Sequence, residues 1–316
     1  MLIGLLSCVS PSGDPGPDAA RDSVESRGDS SGSYLGLQTA GGPRNPHRRT
    51  WLDVEVGSQQ ACGHNPDRSL TCWGDGNNTP VSGVEDVVEF GVGSLVTCVT
   101  HAEGVPWCYY ANVSQGPLSV TGATGLVVDW SVGCWSDSDQ GAGCEYYYLP
   151  PSGDLGLEDV PSGEYVAIDV DSYGACGALE GGGLECWGDL ELADAERPEG
   201  VFTAVAVGDF HACALTDTGA IECWGGTGDA AEDLLLEPPE GEFIDLDMQG
   251  RHTACAVRVD GTPMCWGPAN ESGTNDPPQH IRLKSVNIGD SVCGVTVSDE
   301  ITCWGYPYSG VVDVPE

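Results

Sequence analysis

The sequence predicts an all-β chain built from seven copies of one short unit. Three observations carry this. First, a cysteine is followed ten positions later by a second one in seven places. The pairs are Cys62 with Cys72, Cys98 with Cys108, Cys134 with Cys144, Cys176 with Cys186, Cys213 with Cys223, Cys255 with Cys265, and Cys293 with Cys303. First members of successive pairs stand 36, 36, 42, 37, 42 and 38 residues apart, which is the period of a repeat architecture. Second, the segment before each first cysteine alternates apolar and polar residues and is rich in Val, Ile and Thr, as in VFTAVAVGDFHACALTDTGAIECWG over 201–225. That is the period of strands, and no stretch sustains a helical one. Third, most copies end on Cys-Trp-Gly, a fixed close to each unit. About three strands per copy follow.

The turn between paired cysteines can be derived. Antiparallel pairing of Cys213 with Cys223 sets Leu215 opposite Ile221 and leaves Asp217-Thr218-Gly219 as a three-residue loop. Such loops place a left-handed residue at their third position, where Gly104, Gly182, Gly219 and Gly261 all fall. The cysteines then occupy a non-hydrogen-bonded pair, with Cα atoms about 4.5 Å apart. One cross-strand disulfide per hairpin is the preferred reading, each worth about 2–3 kcal/mol. Seven pairs of buried free thiols are the alternative. Zinc fits poorly, because close Cys-x-x-Cys pairs and histidine partners are missing.

Disulfides place the chain outside the cytoplasm, and the N-terminus agrees. Residues 1–8 read MLIGLLSC, and Leu5-Leu6-Ser7-Cys8 resembles a bacterial lipobox, which would make unpaired Cys8 the lipidated residue. The apolar run is short and lacks a basic flank, so the true start is expected upstream or the match is chance. Residues 9–46 are rich in Ser, Gly, Pro and Asp and form an expected disordered tether. The repeats occupy 47–316.

Charge excludes one class of partner. The chain carries 11 basic and 49 acidic residues, a net charge of −38, and the excess lies in the repeats. Nucleic acid needs a basic footprint and is ruled out. Solubility accounts for the acidity more simply than a cation or a basic partner does.

ACALTDTGAIECWG and its siblings resemble the regulator of chromosome condensation repeat family, over about residues 47–316. The copies lack the family's usual Asn-rich tail after Trp-Gly. Their short period is closer to propellers of the seven-bladed β-lactamase inhibitory protein type II kind. The resemblance implies a seven-bladed β-propeller of short blades, with sheet edges protected by a closed ring. The nucleotide-exchange role of the family's eukaryotic namesake is not carried over.

Trp73, Trp187, Trp224, Trp266 and Trp304 recur at one position and are expected to pack blade against blade. Copies two and three depart from the pattern. Trp107, Tyr109, Tyr110, Trp130, Trp135, Tyr146, Tyr147 and Tyr148 concentrate there, eight of 23 aromatics in 42 residues, which is why the partner-binding site is placed on them. The alternative is that they replace the missing Cys-Trp-Gly tryptophan in packing.

No nucleophile elbow, metal-protease motif or phosphate loop is present. Asp137–Glu145 has a faint calcium-loop look but coincides with a hairpin turn. The expectation is therefore an exported, lipid-anchored, non-catalytic monomer of the bacterial envelope, without cofactor or metal. It binds an extracytoplasmic protein, in one version inhibiting an extracellular enzyme. The alternative is a carbohydrate-binding or carbohydrate-active propeller using the aromatic cluster. Ring closure with or without an exchanged strand is left open.

Overall fold

The computed structural model describes residues 50–315 apart from 76–80, 82–83, 95, 103, 111–112, 118–119, 121, 130–131, 138–140, 147–155, 189–191, 193–194, 227, 231, 270–271 and 308–309. Cys8 and the 9–46 segment lie outside them.

Seven antiparallel sheets follow one another along the chain. Blade 1 is β1 (Asp53–Val56), β2 (Ala61–His64) and β3 (Leu70–Trp73). Blade 2 is β4 (Val87–Val92), β5 (Val96–His101), β6 (Pro106–Tyr110) and a fourth strand, β7 (Val113–Pro117). Blade 3 is β8 (Ala123–Val128), β9 (Val132–Asp137) and β10 (Gly141–Tyr146). Blade 4 is β11 (Tyr165–Val170), β12 (Gly174–Leu179) and β13 (Leu184–Gly188). Blade 5 is β14 (Phe202–Val207), β15 (His211–Thr216) and β16 (Ile221–Gly225). Blade 6 is β17 (Phe243–Gln249), β18 (Thr253–Arg258) and β19 (Pro263–Trp266). Blade 7 is β20 (Leu283–Ile288), β21 (Ser291–Thr296) and β22 (Ile301–Gly305). This is the all-β, seven-bladed propeller expected, with blade 2 one strand wider than the rest.

All seven cysteine pairs are disulfides between directly opposed residues of the second and third strands of their blades. Cys62 is bonded to Cys72, Cys98 to Cys108, Cys134 to Cys144 and Cys176 to Cys186. Cys213 is bonded to Cys223, Cys255 to Cys265 and Cys293 to Cys303. Their Cα separations are 4.0–4.1 Å, a little closer than the non-hydrogen-bonded spacing expected. Leu215 does face Ile221. Gly104, Gly182, Gly219 and Gly261 take φ of 67°, 93°, 85° and 83°, and Arg68 and Asp299 fill the same turn position at 68° and 63°.

The core is not one mass but seven wedges, one between each pair of neighbouring blades. The wedge of blades 4 and 5 holds Leu184, Phe202 and Trp224, and that of blades 7 and 1 holds Trp51, Trp73, Val295 and Ile301. Strand alternation produces this, because both faces of each sheet are covered by a neighbour. The recurrent tryptophans sit in these wedges, and several of their indole N–H groups find backbone acceptors. Trp187 donates to Leu157 O at 3.0 Å, Trp266 to Leu235 O at 2.9 Å and Trp304 to Thr274 O at 2.9 Å. In each case the acceptor belongs to a connection between blades.

Blade 1 has no connection before it, and the C-terminal segment takes that place. Trp73 donates to Val311 O at 2.7 Å, and the Val311 side chain is buried in the wedge of blades 7 and 1. Trp51 N–H bonds Asp299 O at 2.8 Å. Among the described residues no strand is exchanged across this seam.

Candidate functional site: the central channel and its mouth

The innermost strand of each blade is a sheet edge, so some of its N–H groups lack a strand partner and need acceptors. The sequence supplies acidic residues on these strands: Asp53 and Glu55 on β1, Glu89 on β4, Asp169 on β11, Asp245 and Asp247 on β17, with Asn287 on β20. Several reach the next blade. Asp245 accepts from Val286 N–H at 2.7 Å and Asp247 from Ile288 N–H at 2.6 Å. Asp169 accepts from Val207 N–H at 2.7 Å. Asn287 Oδ1 accepts from Val56 N–H at 2.6 Å across the seam, and its amide donates to Glu55 at 3.1 Å. These side chains thus bridge the inner edges of adjacent blades.

They line a channel enclosing about 310 Å³. Burial pushes Asp169 and Asp245 up to about 7, against the two backbone N–H bonds each accepts. Burial, then repulsion from neighbouring carboxylates, raises Glu55 well above the usual carboxylate range. Asp247 is raised in the same way, by burial and then by the charge of Asp169.

At the end where inner strands turn into middle strands the channel opens into a mouth of about 1050 Å³, walled by residues of all seven blades. Its side on blades 3 to 6 is the most elaborated. Asp171 accepts from Gly250 N–H two blades away at 3.1 Å, and Ser172 Oγ donates to Asp129 at 2.8 Å. Burial raises Asp171, helped by the charges of Asp129 and Asp209, and Asp209 also shares a hydrogen bond with it. Arg251 Nε donates to Asp209 at 2.7 Å, and its guanidinium lies 4.4 Å from the centre of the Phe210 ring. Phe210 in turn stacks on Tyr173, ring centres 5.9 Å apart. This stack of Tyr, Phe and Arg on three successive turns is the kind of surface that anchors a partner. Among the described residues no group of three His, Cys, Asp or Glu is arranged to hold a metal ion.

The residues singled out in copies two and three are not gathered at this mouth. Trp135 is buried in the wedge of blades 2 and 3, where its ring covers Gly143; a Cβ there would sit 2.8 Å from Trp135 Cζ2. Tyr109 packs partly buried against the wedge of blades 1 and 2, and Tyr146 against that of blades 3 and 4. Trp107 is exposed on β6, and Tyr110 contributes its backbone to the same strand. Trp130, Tyr147 and Tyr148 lie outside the described residues. Sequence reading missed the channel and mouth residues. Their signal was present in the acid-apolar alternation of DVEV, AIDVD and IDLDM, at one phase of the repeat.

Residues 202–229, which are blade 5 and its exit, match the model of the Regulator of chromosome condensation (RCC1) repeat. No match was found among curated protein sequences. Several solved structures are similar. The ectodomain of the Physcomitrella patens receptor kinase CR4 is 19% identical, with a TM-score of 0.67, covering 82% of this chain and 74% of that one. The CRINKLY WD40 ectodomain of the Arabidopsis thaliana receptor kinase ACR4 is 19% identical, with a TM-score of 0.66, covering 84% and 99%. Prp20p from Saccharomyces cerevisiae is 15% identical, with a TM-score of 0.58, covering 73% and 74%. Blade 5 is thus similar to an RCC1 repeat, and the chain shares the fold of these propellers.

Proposed function

We propose that this chain is an exported, non-catalytic propeller that seats a loop of a protein partner in its channel mouth. The observation that carries the reading is the mouth itself, a concavity of about 1050 Å³ whose lining includes Arg251, a side chain that packs on the stacked Phe210 and Tyr173 rings. It is at the upper end of small-ligand pocket sizes, and Arg and aromatic side chains dominate the energetics of protein interfaces. A non-catalytic role is supported by the channel carboxylates, since Asp169, Asp245 and Asp247 are engaged as acceptors for the next blade. Fold alone does not assign a function, so the site has to carry it. Export is supported by seven disulfides in one chain, a density belonging to oxidising compartments. Lipidation at Cys8 would hold the protein at the envelope. Inhibition of an extracellular enzyme is one specific form of the proposal.

The test is capture of envelope and supernatant proteins on three forms of the chain. They are the wild type, a double variant with Phe210→Ala and Arg251→Glu, and a variant with Tyr109, Tyr110, Tyr146, Tyr147 and Tyr148 changed to Ala. A protein held by the wild type and lost by the mouth variant is the expected result. Loss only in the tyrosine variant moves the site to blades 2 and 3. Elution by soluble sugars would replace the protein-partner reading with the carbohydrate one. Incorporation of labelled fatty acid, abolished by Cys8→Ala, checks the anchor separately.

A further inference from the structure

The mouth carries a feature that docking alone does not require. In blades 1, 2, 5 and 7 the inner strand is followed by Gly57, Gly93, Gly208 and Gly289. Neighbouring turns approach closely there. A Cβ on any of the four would overlap a backbone oxygen of the next blade: Gly93 O, Asp129 O, Gly250 O and Gly57 O in turn. Blades 3 and 4 depart from this and carry Asp129 and Asp171 at the same step. Their backbones still make the turn, with Asp129 N–H bonded to Val132 O at 3.0 Å and Asp171 N–H to Gly174 O at 2.9 Å. Both acids are buried, 8% and 4% exposed. Two carboxyl groups thus sit where four other blades admit no side chain.

Asp171 joins the turns around it. It accepts from Ser172 N–H and, two blades on, from Gly250 N–H at 3.1 Å. Ser172 Oγ reaches back to Asp129 at 2.8 Å. Asp171 also shares a hydrogen bond with Asp209 of blade 5. Asp209 accepts from Arg251 Nε at 2.7 Å, and its own N–H bonds Gly250 O at 3.1 Å. Ionised carboxylates only accept, so the bond between the two acids holds one proton. The turns of blades 3, 4, 5 and 6 are therefore linked through it.

With that proton in place the pair carries one negative charge, and Arg251 balances it. Without it, two carboxylates face one guanidinium beside Asp129. The other titratable groups lining the mouth are Asp75, Asp290, His252 and Tyr306, and Arg251 is its sole Lys or Arg among the described residues. The channel wall beneath adds Asp169 and Asp247. Burial, then the charges of Asp129 and Asp209, hold the Asp171 carboxyl well above the usual carboxylate range. The linked arrangement is complete at low pH and is lost as pH rises through that raised value. When the proton passes to water, the Asp171–Asp209 bond goes and the two carboxylates repel. Asp171 stays held by two backbone N–H groups, whereas the Asp209 side chain is 19% exposed and can turn outward. Arg251, bonded to Asp209, then leaves its place 4.4 Å from the centre of the Phe210 ring.

We propose that the proton shared by Asp171 and Asp209 is a switch in the wall of the mouth. It holds Arg251 on Phe210 while present and frees Arg251 when it departs. Its use in docking rests on the reading of the mouth given above, whereas the switch itself is a property of the chain alone.

The test is a ¹H–¹⁵N NMR titration of the oxidised full chain between about pH 4 and pH 9. It follows the Gly250 amide and the Arg251 Nε–H signal, the latter identified by its loss in Arg251→Lys. The expected result is one step in both signals, with a common midpoint above the usual carboxylate range. In Asp171→Asn the side-chain amide donates to Asp209 in place of the proton, so the Arg251 step should drop to the ordinary aspartate value of about 4. In Asp290→Asn, on blade 7, the step should stay where it is. A wild-type Arg251 signal that does not move above about pH 5 would overturn the switch. So would a step that Asp171→Asn leaves in place, or one that Asp290→Asn removes. The wild-type titration decides the matter even where a variant fails to fold. A flat titration leaves partner capture by the mouth standing, and failure of that capture leaves the switch standing.

Discussion

Asp245→Asn should stabilise the propeller at pH 8 and do almost nothing at pH 4. The wild-type carboxyl sits in the channel, accepts Val286 N–H at 2.7 Å, and is pushed by burial from 3.8 up to about 7. The folded state therefore holds a proton that the unfolded chain releases from about pH 4 upward. Below the unfolded value both states are protonated and the contribution to stability is complete. It is lost as pH rises towards 7, the reverse of the ordinary carboxylate case. About three pH units of displacement correspond to about 4 kcal/mol as a ceiling. The side chain is only half-buried on the channel wall, so about 2 kcal/mol is the expected gain for the variant at pH 8. Asn can do this work, because Asn287 already accepts Val56 N–H at 2.6 Å from a neighbouring inner strand. Urea unfolding of wild type and variant at pH 4, 6 and 8, with disulfides intact, reads the difference directly. One charge among 38 changes overall repulsion little, so the comparison isolates the site. Equal stability of the two proteins at pH 8, or a gain for the variant that does not shrink towards pH 4, would refute the reasoning.

Three other outcomes are expected. The double variant Cys213→Ala with Cys223→Ala should lose about 3 kcal/mol by loop-closure entropy while leaving the other bridges intact, checked by urea unfolding and thiol counting. A chain ending at Tyr306 lacks Val311, so Trp73 loses its acceptor and the seam loses a buried valine; about 3 kcal/mol and a red-shifted tryptophan emission should result. Gly219→Ala forces a side chain to φ of 85° with its Cβ 3.1 Å from Phe243 O, and should cost about 1–2 kcal/mol in thermal unfolding.

Much of the architecture was legible because it repeats. A ten-residue step between cysteines, a left-handed turn residue at its middle and an alternating strand before it determine hairpin, register and bridge together, and Leu215 faces Ile221 as the count requires. The candidate site was harder to see, because single acidic residues are uninformative in this chain. With 49 carboxylates, Asp245 and Asp247 look no different from solvent-facing Asp217 until the strand is placed at the inner edge. The aromatic excess of copies two and three pointed to a different part of the ring from the turns that wall the mouth. Trp135 fills the wedge that a Cys-Trp-Gly tryptophan would otherwise fill, whereas Tyr173 and Phe210, single aromatics at the turns of regular copies, stack beneath Arg251 of the mouth.

The seam between blades 7 and 1 also settles how the molecule bears mechanical load. With no strand exchanged among the described residues, tension applied between the two ends of the ring falls first on the Trp51–Asp299 and Trp73–Val311 bonds and on the side chains packed behind them. The ring should part there and then shed blades in order from its ends. Each bridge spans ten residues whose Cα termini stay 4.0–4.1 Å apart, so every blade withholds about 30 Å of contour that an unbridged hairpin would release. A pulled molecule would lengthen in short, regular steps whose reach grows only when a reductant is added.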